Sequence, residues 1–200
     1  MRAALPRGLA ICCLFVLVLP QAAAAEWHFT PMLGATFFGD TNIVDPDRAT
    51  PDVHRNFGGS VALLGGGILG AEGLVVWTPG FFTGELGLVR RSRTIAAMGN
   101  VVFTAPRRWT EYSLRPFVSG GFGVLAASKT ETADVFSTDR NRNIPAFNIG
   151  GGAIGFLSER TGLRFDIRYY SSFIHSDELT DEGPFSMRYM TASVGLVLRR

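Results

Sequence analysis

From Glu26 onward no stretch approaches the roughly 18 uninterrupted apolar residues that mark a membrane-spanning helix, yet apolar and polar residues alternate in segment after segment. Alternation with a period of two is the pattern of β-strands with one apolar and one polar face. Eight strands are expected: Trp27–Gly39, Phe57–Leu64, Ile68–Thr78, Thr94–Ala105, Leu114–Ala127, Pro145–Phe156, Leu163–Ser172 and Met187–Arg199. In the first, Trp27, Phe29, Leu33, Ala35 and Phe37 share one face, and His28, Thr30, Gly34 and Thr36 the other. In the third, Leu69, Ala71, Val75 and Trp77 oppose Gly70, Glu72 and Thr78. In the fourth, Ile95, Ala97, Val101 and Phe103 oppose Thr94, Asn100 and Thr104.

The connections between these segments add direction. Long ones (Asp40–Asn56, Pro79–Arg93, Ser128–Ile144, Phe173–Ser186) alternate with short ones (Gly65–Gly67, Pro106–Ser113, Leu157–Gly162). Antiparallel strands with long loops at one end and short turns at the other are the layout of an up-and-down transmembrane β-barrel. A soluble up-and-down barrel, the alternative, needs no such bias. Alternation by itself does not say which face is inside. A mean hydropathy of +0.19 without a spanning helix favours the membrane form, as do 24 glycines and 16 phenylalanines. The expected fold is therefore all-β, an eight-stranded antiparallel transmembrane barrel over residues 26–200.

The first 25 residues read as a cleaved signal peptide. Arg2 and Arg7 form a positive start, Leu9–Leu19 an apolar core, and Pro20 with Ala22–Ala25 a small-residue cleavage region, so cleavage is expected after Ala25. Cys12 and Cys13 lie inside the apolar core, where the bulky Ile11 argues against a lipoprotein signal. The remaining chain has no cysteine and hence no disulfide. Losing Arg2 and Arg7 lowers Lys+Arg from 19 to 17 against 17 Asp+Glu, which provides no general drive toward nucleic acid.

The most distinctive local feature is Leu163–Tyr170. Its apolar positions Leu163, Phe165, Ile167 and Tyr169 oppose Arg164, Asp166, Arg168 and Tyr170. An arginine facing lipid at mid-membrane costs roughly 2–4 kcal/mol, so the charged ladder is expected to face the lumen. Glu72 and Arg115 are the expected partners across a narrow interior. Such a network acts either as an ionic plug, the expected role, or as the lining of a narrow ion path.

The segments TPGFF (Thr78–Phe82), RPFVSGGFGV (Arg115–Val124), GLRFDIRYY (Gly162–Tyr170) and SVGLVL (Ser193–Leu198) resemble, in order and spacing, the small outer-membrane barrels of the outer-membrane protein A and opacity-type surface protein group. That resemblance covers essentially the whole chain after residue 25. It implies residence in the cell outer membrane, contact with outer-membrane lipid, surface loops that present to a ligand, and insertion by the barrel-assembly machinery. It also implies an assembly signal in the last strand, matched here by Ser193, Gly195 and Leu198, with Arg200 where the group carries an aromatic residue.

Enzymatic alternatives find weaker support. Outer-membrane lipid A deacylases place a His two residues before a Ser near the end of a late strand. Tyr170, Ser171 and Ser172 occupy that region here, with His175 and Ser176 beyond. An outer-membrane protease needs a larger barrel, and the acidic run Asp177–Glu182 reads as a solvated loop. His28, His54 and His175 have no metal-ligand spacing, and Asp45, Asp47 and Asp52 lack the order of a calcium loop. Gly65–Gly67 and Gly150–Gly152 precede no helix and are not phosphate loops; the second reads as a place where bulk is excluded. Arg90, Arg91 and Arg93 cluster in an expected loop, either as a solvated rim or as ligands of lipopolysaccharide phosphate. The overall expectation is a monomeric, non-enzymatic barrel without cofactor or metal, with a small-solute channel as the alternative.

Overall fold

A computed structural model describes residues 25–41, 53–80, 89–106, 110, 114–133, 136–173 and 187–200. The expected signal peptide thus lies outside the described residues except for Ala25. The strands are β1 (Glu26–Thr41), β2 (His54–Leu64), β3 (Leu69–Pro79), β4 (Val89–Thr104), β5 (Leu114–Ala133), β6 (Phe136–Phe156), β7 (Thr161–Ser172) and β8 (Met187–Arg199). Each pairs antiparallel with its neighbours in sequence, and β1 pairs with β8 to close the barrel. Closure leaves no sheet edge around the barrel wall, which a backbone in a non-hydrogen-bonding solvent requires.

The expected faces are found, and the structure decides which is inside. Leu33 is 60% exposed and Ile167 56%, whereas Glu72 is 4% and Arg168 1% exposed. The apolar set therefore covers the outer wall and the polar set lines the interior, the reverse of a soluble barrel. An apolar wall around a fully paired backbone suits hydrocarbon rather than water. Aromatic pairs gather toward the long-connection end, with ring centroids 6.0 Å apart for Phe57–Trp77 and 5.1 Å for Phe147–Phe173. Trp27 and Phe29 stack at 6.5 Å toward the short-turn end. Such girdles place aromatic rings at the two interfaces.

Several strand ends differ from the sequence expectation, by one to nine residues, most in two connections. Ser128–Ile144 was expected as a long loop, but β5 and β6 stay paired as far as Ala133↔Phe136, so only residues 134–135 connect them. Likewise Arg90, Arg91 and Arg93 belong to β4, not to a loop. The cause is common to both. Both segments lack the apolar–polar alternation by which strands are recognised, while their Thr and Val residues (Thr130, Thr132, Thr138, Val89) favour extended backbone.

The seam between β1 and β8 runs from His28↔Arg199 to Thr41↔Met187, with a register shift between Phe37 and Asp40. Phe38 sits in that shift with φ 53°, a left-handed conformation that an aromatic residue adopts only under strain. At the other end of the seam Trp27 N–H donates to Arg200 O (3.0 Å) and Arg200 N–H to Trp27 O (2.9 Å). The last residue therefore continues the ladder opposite an aromatic residue.

Candidate functional site

Inward positions of five strands meet at mid-barrel. Arg164 and Arg168, two residues apart on β7, point the same way into the lumen, and Asp166 lies between them. Arg164 donates to Glu72 Oε1 through Nη1 and to Asp166 Oδ2 through Nη2, the latter at 2.7 Å. Its Nη1 also reaches Ser60 Oγ at 3.3 Å. Arg168 donates through Nη2 to Asp166 Oδ2 (2.9 Å) and Glu72 Oε2 (3.1 Å), and through Nε to Asp166 Oδ1 (3.2 Å). Its Nη1 donates to Asn148 Oδ1 (2.7 Å), Asn148 Nδ2 to Asn100 Oδ1 (2.7 Å), and Asn100 Nδ2 to Glu72 Oε2 (3.1 Å). These last bonds close a ring, Glu72–Arg168–Asn148–Asn100, that crosses the lumen between β3, β4, β6 and β7. Two guanidinium groups and two carboxylates make the layer neutral, and buried charges are tolerated only when paired and hydrogen-bonded in this manner.

Glycines on the facing strands make room for this layer. A Cβ on Gly152 would lie 1.8 Å from Phe165 O, and one on Gly150 2.9 Å from Arg168 Cγ. Gly121 stands in the same relation to Asn100, whose Oδ1 would be 2.5 Å away. The exclusion of bulk expected at Gly150–Gly152 thus has a cause: β6 must lie close against the stems of Asp166 and Arg168.

Arg115 is placed differently from the expectation. It points inward and is buried, but Glu72 pairs with Asn100, which pairs with Gly121, six residues further along β5 than Arg115. Its guanidinium instead donates to Ala105 O (2.9 Å), Gly65 O (2.9 Å), Gly67 O (3.1 Å) and Thr104 Oγ1 (2.6 Å). Arg115 therefore caps carbonyls that the Gly65–Gly67 turn leaves outside the ladder. Inward parity predicted its burial, but parity carries no information on height within the barrel.

Apolar clusters flank the ionic layer above and below, among buried polar side chains such as His28, Thr30, Thr36 and Asn56, and the sequence did not suggest them. Toward the short turns Ala62, Leu64, Val102, Phe117, Ile154 and Val197 pack together, with the Arg164 guanidinium 4.4 Å from the Phe117 ring centroid. Toward the long connections Met32, Leu74, Val76, Met98, Leu125 and Tyr170 belong to a second cluster. Tyr170 stacks on Tyr189 at 4.8 Å. The available signal was a loss of alternation: Leu74–Trp77 and Val101–Phe103 are apolar on both faces. Asn100, Asn148 and Ser60 carry no comparable signal in the sequence, because an uncharged polar residue on an inward face is unremarkable until its partners are known.

Of the last-strand positions, Ser193 Oγ reaches Asn56 Oδ1 at 3.3 Å and Leu198 faces outward. A Cβ on Gly195 would lie 2.6 Å from Met32 Cγ and 2.8 Å from Pro31 O, so packing alone demands glycine there. Tyr170, in the position of the deacylase histidine, is buried in the lumen and turned away from lipid. His175, Ser176 and Asp177–Glu182 lie outside the described residues, as do Asp45, Asp47 and Asp52. Among the described residues no group of three His, Cys, Asp or Glu side chains is arranged to hold a metal ion.

No protein-family model and no curated protein matches the sequence. Solved structures do match the fold. Neisserial surface protein A superposes with a TM-score of 0.53 at 9% identity, covering 85% of this chain and 95% of that one. Ail, the attachment invasion locus protein of Yersinia pestis, gives 0.54 at 13% identity over 88% of this chain and 99% of that one. Outer membrane protein OprG from Pseudomonas aeruginosa gives 0.58 at 11% identity over 88% and 96%. The chain has the fold of the small eight-stranded outer-membrane barrels.

Proposed function

We propose that the chain is an exported, non-enzymatic protein of the outer membrane whose barrel is closed to solutes and whose exposed end presents its connections to a ligand. The observation that carries this reading is the neutral ring of Glu72, Arg164, Asp166, Arg168, Asn100 and Asn148 across the lumen. Both carboxylates are shared between the two arginines. An eight-stranded interior is only wide enough for its own side chains, and the apolar clusters on both sides of the ring offer an ion few groups to replace its hydration. The inward orientation of Tyr170 supports the absence of lipid-cleaving chemistry at that end of β7. In this reading residues 1–25 are the cleaved leader, and Ser193, Gly195 and Leu198 serve insertion by the assembly machinery.

A small-solute channel is the second reading, favoured by one observation. Ser119 Oγ and Thr30 Oγ1 are buried without a protein partner, and polar sites of this kind hold water. Planar-bilayer recording separates the two. The closed reading expects no steady conductance from the purified barrel across a wide voltage range. Reproducible open steps, abolished when the protein is omitted, would replace it with the channel.

A further inference from the structure

The outer wall of β2, β3 and β4 combines charge and aromatic surface at one height. Phe57 pairs with Trp77, and Trp77 with Ile95, so these three side chains form a row across the wall toward the long-connection end. Continuing the β2–β3 register by two residues brings Arg55 level with Pro79, and Pro79 pairs with Arg93. Arg55 and Arg93 point outward and are exposed, while their neighbours Asn56 and Thr94 are buried inside. The two arginines thus flank Pro79 in the row directly above the Phe57–Trp77 pair. Residues two strands apart are separated by about 10 Å, a span over which two guanidinium groups can close on one phosphate. Pro79 puts no long side chain between them. Neither arginine forms an ion pair among the described residues, in contrast to Arg164, Arg168 and Arg199.

We infer that Arg55 and Arg93 bind the phosphate of a phosphorylated glycolipid whose acyl chains lie along Phe57, Trp77 and Ile95. Paired guanidinium groups recognise phosphate in fork geometry. The aromatic row below marks where hydrocarbon gives way to headgroup, so a lipid with its chains on that row carries its phosphate at the height of the arginines. The site faces lipid and is separate from the lumen. It rests on the reading of the chain as a membrane barrel.

Native mass spectrometry of the folded protein with lipid A and with fully dephosphorylated lipid A tests the inference. Wild-type protein should retain lipid A, and Arg55→Ser/Arg93→Ser should retain about tenfold less or lower. Dephosphorylated lipid A should be retained as poorly by the wild type as lipid A is by the double variant. Arg160→Ser/Arg200→Ser, which removes two exposed charges from the short-turn end, should behave as wild type. Equal retention by wild type and Arg55→Ser/Arg93→Ser would overturn the site. So would equal retention of the two lipids, an equal loss in the short-turn variant, or displacement of lipid A by an equal concentration of inorganic phosphate. Vesicle insertion is scored on the same samples: a chain that fails to insert sinks the membrane reading and this site together, whereas insertion without phosphate preference sinks only the site.

Discussion

The middle of the lumen and its two ends are packed by opposite means. At mid-barrel, charge fills the space: four ionised groups from β3 and β7 neutralise one another, with Asn100 and Asn148 completing the ring. A few residues to either side, β3, β4, β5 and β6 point Leu74, Val76, Met98, Leu125, Phe117 and Ile154 inward. Apolar packing is forgiving, because each contact is weak and non-directional. The ionic layer is not, because removing one partner leaves the others charged, dry and unpaired. The apolar clusters also lower the local dielectric around the middle, which strengthens the pairing there. The two regions therefore depend on one another, and they should fail differently.

The largest expected effect is at Glu72. Glu72→Ala leaves Arg164 and Arg168 sharing only Asp166, and should lower unfolding stability in lipid vesicles by roughly 3–5 kcal/mol. Urea titration followed by heat-modifiable gel migration reads this out; a loss near zero would mean that the carboxylate is not buried and paired. Leu125→Ala, in the apolar layer, should cost roughly 2–4 kcal/mol through the cavity it opens. That loss should be relieved by a compensating larger neighbour, as the loss at Glu72 should not. Gly152→Ala drives a methyl against the backbone of β7 and should cost roughly 1–3 kcal/mol. Conversion of Glu72, Arg164 and Asp166 to Leu and Arg168 to Met in one chain should cost less than Glu72→Ala alone, since no charge is then left without a partner. If the quadruple variant proves the less stable of the two, the distinction between the regions is wrong.

Within the apolar band the fold was legible in the sequence. Phe29, Val75, Val101 and Ile167 alternate with Thr30, Glu72, Asn100 and Asp166, and a one-residue error of register would have put Arg164 and Arg168 in lipid. Outside that band legibility failed, since Val89–Arg93 and Ser128–Ile144 show no apolar–polar period, although they are strands or mostly so. Within the lumen, Glu72, Arg164, Asp166 and Arg168 were recognisable as inward charges on a narrow barrel. Inward parity alone groups Arg115 with them, because height along the barrel axis depends on strand stagger, which a single chain does not display. Asn100 and Asn148 became visible as members of the ring only through the pairing of β3 with β4 and of β6 with β7.

The direct test of a lumen closed by charge is to measure the contact itself in a bilayer. Solid-state NMR on protein labelled at the Glu72 carboxyl carbon and the arginine guanidinium nitrogens, reconstituted in lipid, should show strong dipolar transfer from Glu72 to both Arg164 and Arg168. Absence of transfer to both, with Glu72 showing water contact instead, would contradict the closed lumen and leave a hydrated path through the barrel.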